Sequence, residues 1–173
     1  MLATFSLTLE DTHPISTNKM YYSFRRKGSG TFRRKSEEYF AFTQKVHTAL
    51  QACLTENPRL KDIFLKIAEH GCNLTINTYM PYSSYYTKAG IRKAIDSSNF
   101  IKPLEDSIFT FFEANVAPNV KDQHVITVTS SKHVSKNDGW SVTFTLDIGP
   151  GRVDEFEHFA YIYRYDGLYL VNS

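Results

Sequence analysis

The chain has 173 residues, 42% of them hydrophobic and 22% charged, which is typical of one soluble globular domain with a single core. No stretch has the length and apolarity of a membrane span, and the N-terminus lacks the features of a signal peptide, so we expect a soluble cytoplasmic protein with no membrane partner. Cys53 and Cys72 have no metal-ligand spacing, which argues against a structural zinc site and predicts two core residues.

The first third of the chain predicts a strand, a hairpin and a long helix. Residues 4–9 alternate polar and apolar side chains, the pattern of a half-buried strand. Residues 21–24 and 31–34 flank a glycine-containing turn, which favours a hairpin. Ser36 followed by two glutamates is typical of a helix N-terminus, and Asn57-Pro58 ends that helix. An apolar stripe at helical spacing predicts its buried face: Phe42, Val46, Ala49, Leu50 and Cys53.

The middle of the chain is less uniform. Residues 60–67 are apolar and fit either a strand or a short helix, whereas residues 72–80 alternate and predict a strand. The segment 81–92, rich in Tyr, Ser and Lys, is typical of a mobile loop. A second helix is predicted from about residue 98 to about residue 115, with Pro103 near its first turn.

The last third predicts further strands. Residues 125–129 and 141–148 alternate, and Asn137-Asp138-Gly139 between them favours a hairpin. A second hairpin is predicted in residues 156–171, around Asp166-Gly167. This order of elements predicts an α+β domain with two main helices packed on a mixed sheet.

Charge is distributed unevenly along the chain. Residues 151–173 hold two basic and four acidic side chains, a local charge of −2, so the other 18 basic and 14 acidic side chains give the first 150 residues +4. Two basic triplets flank Gly28-Ser29-Gly30, and their members are Arg25, Arg26, Lys27, Arg33, Arg34 and Lys35. A charge run is usually a solvated face, but two basic arms around a glycine turn are also suited to gripping phosphates.

The abundant aromatic residues allow two interpretations. The chain has 13 Phe and 11 Tyr, many of them in strand-like segments. Packing within a β-rich core is the simpler interpretation, and a platform for stacking nucleic-acid bases is the alternative.

One constellation carries possible metal chemistry. On a helix, Asn99, Lys102 and Asp106 share a face, while Asp96 precedes the helix and Asp122 precedes the next strand. Carboxylates near a lysine suit Mg²⁺, which takes oxygen ligands from one or two carboxylates together with substrate phosphate. The spacing alone equally fits a capping Asp96, a turn residue at Asp122 and a simple pair between Lys102 and Asp106.

The same residues resemble the RusA family of Holliday junction resolvases. That family has the pattern Asp-x-Asp-Asn-x-x-Lys at the start of a helix and an acidic residue before a later strand. Here Asp96, Asn99 and Lys102 match the pattern, and Asp122 matches the later acid. The segment Pro14-Ile15-Ser16-Thr17-Asn18 is similar to the family's Pro-x-Ser-x-Asn loop. The similarity spans roughly residues 3–148, so we expect a nuclease domain in residues 1–148 and a C-terminal extension in 149–173.

The resemblance implies a homodimeric endonuclease that cuts four-way DNA junctions with Mg²⁺, or with Mn²⁺ in its place. Asp96, Asp122 and Asp106 are the implied metal ligands, Lys102 steadies the phosphate, and Asn99 orients the site. Asn18 and the two basic triplets are the implied contacts to branched DNA, made to its backbone rather than to its bases.

The chain departs from the family at one ligand position. The second aspartate of the pattern is Ser98 here, and a neutral hydroxyl is a poor metal ligand. Either Asp106 or Glu105 compensates for the missing charge, or the site has lost its activity. Two alternatives therefore stay open: a DNA-junction-binding protein without catalysis, and a protein-interaction module that pairs the edge of its Tyr-rich tail with another chain.

Overall fold

Most of the alternating segments join one mixed β-sheet. The computed structural model describes residues 3–25, 27, 28, 30–149 and 157–171. The sheet contains β1 (Ala3–Glu10), β4 (Cys72–Met80), β5 (Val125–Val134), β6 (Ser141–Ile148), β7 (Glu157–Arg164) and β8 (Gly167–Leu170), in the spatial order β5–β4–β6–β1–β7–β8. The two remaining strands, β2 (Tyr21–Arg25) and β3 (Thr31–Lys35), form a separate antiparallel ribbon. The predicted α+β class with a mixed sheet is confirmed.

In the described part of the chain, four α-helices connect these strands: α1 (Glu37–Glu56), α2 (Leu60–His70), α3 (Tyr82–Tyr85) and α4 (Ile101–Asn115). Helix α1 begins as predicted, because the Ser36 hydroxyl accepts a hydrogen bond from the backbone N–H of Tyr39 at 3.1 Å. The ambiguous segment 60–67 is helical, since its buried side chains recur at helical spacing: Leu60, Ile63, Phe64 and Ile67. No helix in the described residues is long and apolar enough to cross a bilayer.

The two faces of the sheet differ in polarity. Alternate residues of β1, β4 and β6 point to the helices and form one core with α1, α2 and α4; Phe5, Phe64 and Phe144 are fully buried in it. Cys53 and Cys72 are also buried in this core, as predicted, and burial raises the pKa of each thiol to about 12. The other face carries a ladder of hydroxyls across β1 and β6, so only one face is packed.

The predicted C-terminal hairpin is confirmed for the described residues. Strands β7 and β8 pair antiparallel around Asp166-Gly167, while Phe156 lies outside the described residues. Strand β7 adds to the sheet parallel to β1, its Tyr161 is buried, and Arg164 forms a 2.7 Å ion pair with Glu10. This segment therefore extends the same sheet.

The predicted hairpin between residues 125–129 and 141–148 is wrong. Strand β4 lies between β5 and β6, parallel to β5 and antiparallel to β6. The predicted turn itself is present, because Asp138 adopts a left-handed backbone conformation with φ 54°. However, the turn crosses the end of β4, where the Ser135 N–H donates to the Met80 carbonyl at 2.8 Å. The alternating apolar residues of β4 and β6 need burial, whereas β5 is mostly exposed and takes the edge.

Gly71, which ends α2, provides a test of this packing. Its backbone has φ 73° and ψ 177°, and a Cβ there would lie 2.8 Å from Ile126 Cδ1 and 3.1 Å from the His124 carbonyl oxygen. Gly90 has a similar φ of 75° with nothing within 4 Å of a Cβ. We expect Gly71→Ala to lower the free energy of unfolding by about 3 kcal/mol and Gly90→Ala by about 1 kcal/mol. Urea denaturation measures both, and equal losses would contradict the packing of β5 against Gly71.

Candidate functional site

Lys102 is the centre of a group of charged side chains at the start of α4. Because Lys102 lies in the first turn, residues three and four positions later lie on its face of the helix. Its ammonium is 3.4 Å from a Glu105 carboxylate oxygen and 2.8 Å from one of Asp106. Asp122 lies in a short 3-10 turn before β5, with its carboxylate 3.2 Å from the same ammonium. We call these four residues the Lys102 cluster.

The three carboxylates of the Lys102 cluster are close enough to share one cation. One oxygen from each of Glu105, Asp106 and Asp122 lies within 4.8 Å of the others. The side chains of Glu105 and Asp106 are only 14% and 18% exposed, whereas those of Lys102 and Asp122 are about half exposed. Three carboxylates and one ammonium leave a formal charge of −2, so the cluster attracts cations.

Opposing effects set the pKa values within the Lys102 cluster. Burial lowers the pKa of Lys102, but hydrogen bonds to Asp106 and Asp122 and the attraction of the nearby carboxylates outweigh it, and the pKa is raised. Burial is also the largest effect on Glu105, where it raises the pKa; the repulsion of Asp122 and Asp106 adds to it, and the attraction of Lys102 opposes it. Lys102 therefore keeps its positive charge at neutral pH, and Glu105 binds a proton more readily than an exposed glutamate does.

Asp96 is not a member of this group of carboxylates. It is exposed and caps the 3-10 turn Ser97–Phe100, accepting hydrogen bonds from the Ser98 N–H at 2.9 Å and the Ser98 hydroxyl at 2.7 Å. These two bonds are the main reason that the pKa of Asp96 is lowered, and the attraction of Lys132 adds to them. The capping interpretation of Asp96 therefore matches its surroundings, and its role as a metal ligand stays a prediction.

The two asparagines that the resemblance singles out lie in neighbouring turns. Asn99 is half-buried in the 3-10 turn before α4, and its carbonyl accepts a hydrogen bond from the Thr17 hydroxyl at 2.9 Å. Asn18 is the exposed residue next to Thr17, in the 3-10 turn Thr17–Lys19. The Pro-x-Ser-x-Asn loop is therefore joined directly to the segment that carries Asp96 and Asn99.

The basic triplets lie on the β2–β3 ribbon. Arg25, Arg33 and Arg34 are exposed on its strands and Lys27 is exposed in its turn, while Arg26 lies outside the described residues. Lys35 is the exception, since its ammonium donates to the Tyr39 hydroxyl at 3.0 Å. Burial lowers the pKa of Lys35, but this hydrogen bond and the attraction of Tyr39 and Asp106 outweigh it, so the pKa is raised.

A cavity of about 530 Å³ lies elsewhere, between the loop after β1 and the start of α1. It is lined in part by His13, Lys19, Glu38 and Phe100, and no member of the Lys102 cluster lines it. A shallower cavity of about 440 Å³ borders the cluster, because Lys121 and Gln123, the neighbours of Asp122, line it. The Lys102 cluster is therefore a surface group beside a shallow depression rather than the floor of a deep pocket.

Two further charged residues lie near this region. The sequence indicates Glu105 only as a replacement for the missing aspartate, although its position three residues after Lys102 places it on the same face. Lys132 belongs to no predicted site, but its ammonium donates to the Ile95 carbonyl and attracts Asp96. Nothing in the spacing indicates Lys132, because it reaches the Asp96 segment only through the fold.

Comparison with known proteins adds no family assignment. No protein-family model matches the chain, and no curated protein matches it. The RusA resemblance therefore remains a prediction from the motifs and their order.

The raised pKa of Glu105 makes a prediction about stability. The ordinary pKa of a glutamate is 4.5, and a higher value in the folded protein means that ionising Glu105 weakens the fold. This loss is absent below pH 4.5 and develops as the pH rises through the raised pKa. We expect Glu105→Gln to raise the Tm at neutral pH and to give no gain below pH 4.5, as measured by thermal unfolding across pH.

Glu113→Gln is the matched control, since Glu113 is exposed on the same helix and the variant makes the same change in net charge. It should show no gain that depends on pH. A lower Tm for Glu105→Gln at neutral pH would mean that the attraction of Lys102 outweighs burial.

Proposed function

We propose that this protein is a homodimeric Mg²⁺-dependent endonuclease that cuts four-way DNA junctions. The observation that carries the proposal is that the carboxylates of Glu105, Asp106 and Asp122 lie together around Lys102. Lys102 and Asp122 also match the RusA pattern. The exposed basic side chains of the β2–β3 ribbon support a polyanionic substrate.

The residues present fit a divalent cation. All three carboxylates offer the hard oxygen ligands that Mg²⁺ and Mn²⁺ prefer. Ligands on opposite sides of a Mg²⁺ ion lie about 4 Å apart, so oxygens within 4.8 Å of one another can share it after side-chain movements. The Lys102 ammonium, which now contacts all three carboxylates, would turn away from them toward the substrate phosphate. Glu105, Asp106 and Asp122 would hold the ion, which when bound polarises a phosphodiester and makes water a stronger nucleophile.

The protein side chains have separate parts in this proposal. Lys102, cationic because of its raised pKa, donates a hydrogen bond to a non-bridging phosphate oxygen and balances the charge that develops there. Asp96 and Asn99 hold the turn before α4, and so position Lys102.

The ribbon and the dimer belong to substrate binding in the same proposal. Arg25, Arg33 and Arg34, which are exposed on the ribbon, would neutralise backbone phosphates without reading sequence. A four-way junction has approximate two-fold symmetry, and a symmetric dimer places one Lys102 cluster on each of two related strands.

One observation favours a second candidate, a junction-binding protein that does not cut. The hydroxyl and the N–H of Ser98 both donate to the Asp96 carboxylate. At the position where the RusA pattern has a second metal-binding aspartate, this chain therefore has a neutral side chain that caps Asp96. In this alternative the ribbon still binds branched DNA. The ion pairs of the Lys102 cluster then have only a structural role, which is to hold the start of α4 against the turn before β5.

A labelled four-way junction distinguishes the two candidates. We expect the wild-type protein with Mg²⁺ to make paired symmetric nicks, and Asp122→Asn to lower the rate about a hundredfold or more, because a charge that stabilises the transition state is lost. Asp96→Asn should lower the rate less if Asp96 only caps the turn. Asp62→Asn, an exposed aspartate in the first turn of α2, is the matched control and should cut normally.

Metal binding has a readout of its own. Mg²⁺ or Mn²⁺ should raise the Tm of the wild-type protein, and raise it less for Asp122→Asn, because a ligand that binds only the folded state stabilises it. Junction binding without nicks in either metal, and without a metal-dependent rise in Tm, would overturn the nuclease proposal in favour of the non-catalytic binder.

A further inference from the structure

The β2–β3 ribbon has an aromatic face. Its register places Tyr22 opposite Arg34 and Phe24 opposite Phe32, and alternate residues of a strand point to the same side, so these four share a face. The rings of Phe24 and Phe32 are 5.7 Å apart and nearly parallel, and those of Tyr22 and Phe24 are 6.2 Å apart. The Arg34 guanidinium lies 5.2 Å from the centre of the Phe24 ring. Phe24 is therefore the ring on which the other three side chains pack.

The outer rings of this face are open to solvent. Tyr22 is 47% exposed and Phe32 is 43% exposed. The ribbon is not part of the six-stranded sheet, and its base is held by the Ser36 N–H, which donates to the Met20 carbonyl at 3.0 Å. Neither ring contributes to the core of the six-stranded sheet, so packing of that sheet does not account for them. A patch of exposed aromatic rings is typical of a binding surface.

The charge around the ribbon is strongly positive. Residues 12–36 contain seven basic side chains and no acidic one, a charge of +7, whereas the remaining 13 basic and 18 acidic side chains give −5. Strand alternation places Arg25 and Arg33 on the face opposite the rings. The thickness of a ribbon is within the Debye length of about 8 Å at physiological salt, so both faces have a positive potential.

Rings and cations together select one class of partner. An acidic protein segment would satisfy the charge but leave the rings unused, and a second copy of the ribbon would bring +7 against +7. A DNA duplex offers phosphates, but its bases are stacked on one another. A single strand offers both phosphates and free base faces, and aromatic rings bind such bases with little regard for sequence.

We infer that the β2–β3 ribbon is a binding site for single-stranded nucleic acid. Unpaired bases stack on Tyr22 and Phe32, and Arg25, Arg33 and Arg34 neutralise the phosphates on either side. The inference rests on the ribbon alone and goes beyond the proposed nuclease function, because a chain without any cleavage activity would still bind a single strand.

Fluorescence anisotropy with labelled oligothymidine tests the inference, with EDTA present so that cleavage does not enter the measurement. Oligouridine and a DNA duplex of the same length are measured in parallel. We expect both single strands to bind more tightly than the duplex. The double variant Tyr22→Thr/Phe32→Thr should weaken single-strand binding about tenfold or more, because two stacking rings are lost while threonine preserves the strands. Arg33→Gln should reduce the slope of log affinity against log salt by about 0.7.

Two control variants separate stacking from folding. Tyr22→Phe/Phe32→Tyr keeps both rings and should bind like the wild type, and Tyr165→Ala removes a 90% exposed ring outside the ribbon and should have no effect. The inference is overturned if the threonine variant binds single strands as well as the wild type, or if the duplex binds as tightly as the single strands. Self-association that the threonine variant abolishes, without single-strand binding, would assign the rings to a second copy of the chain instead.

Discussion

The ammonium of Lys102 is shared among three carboxylates from two separate parts of the chain. Without a cation between them, Glu105, Asp106 and Asp122 would repel one another at the distances observed, and the half-buried positions of the first two would strengthen that repulsion. The attraction of Lys102 therefore holds the start of α4 against the turn before β5. It neutralises only part of the negative charge and leaves the cluster a formal charge of −2.

The base of the β2–β3 ribbon is attached to the start of α1. The Ser36 hydroxyl caps that helix and also donates to the Lys19 carbonyl at 2.7 Å, while the Ser36 N–H holds the base of the ribbon. Lys35, the last residue of β3, packs its ammonium over the Tyr39 ring at 4.4 Å and is attracted by Asp106. These contacts anchor the ribbon to the first turn of α1.

Local patterns predicted much of the fold because each depends on neighbours in sequence. The alternation in β1, β4 and β6, the Ser36 cap and the stripe of α1 are all present as the sequence indicated. The segment 60–67 was ambiguous, because a short apolar run fits two periods until its partners are known. The prediction of a hairpin between β5 and β6 is wrong for a related reason. A turn sequence specifies only the turn, whereas the position of β4 between those strands depends on the whole sheet.

Helix spacing alone places Lys102 and Asp106 on one face of α4, and the charge run alone shows the concentration of positive charge on the ribbon, because both are local properties. The packing of distant segments is what brings Asp122 to Lys102, leaves Asp96 paired with Ser98, and lets Lys132 attract Asp96. It also decided that Tyr22 and Phe32 remain exposed rather than entering the core. Contacts between distant segments depend on how the sheet and helices pack, and no spacing along the chain contains that information.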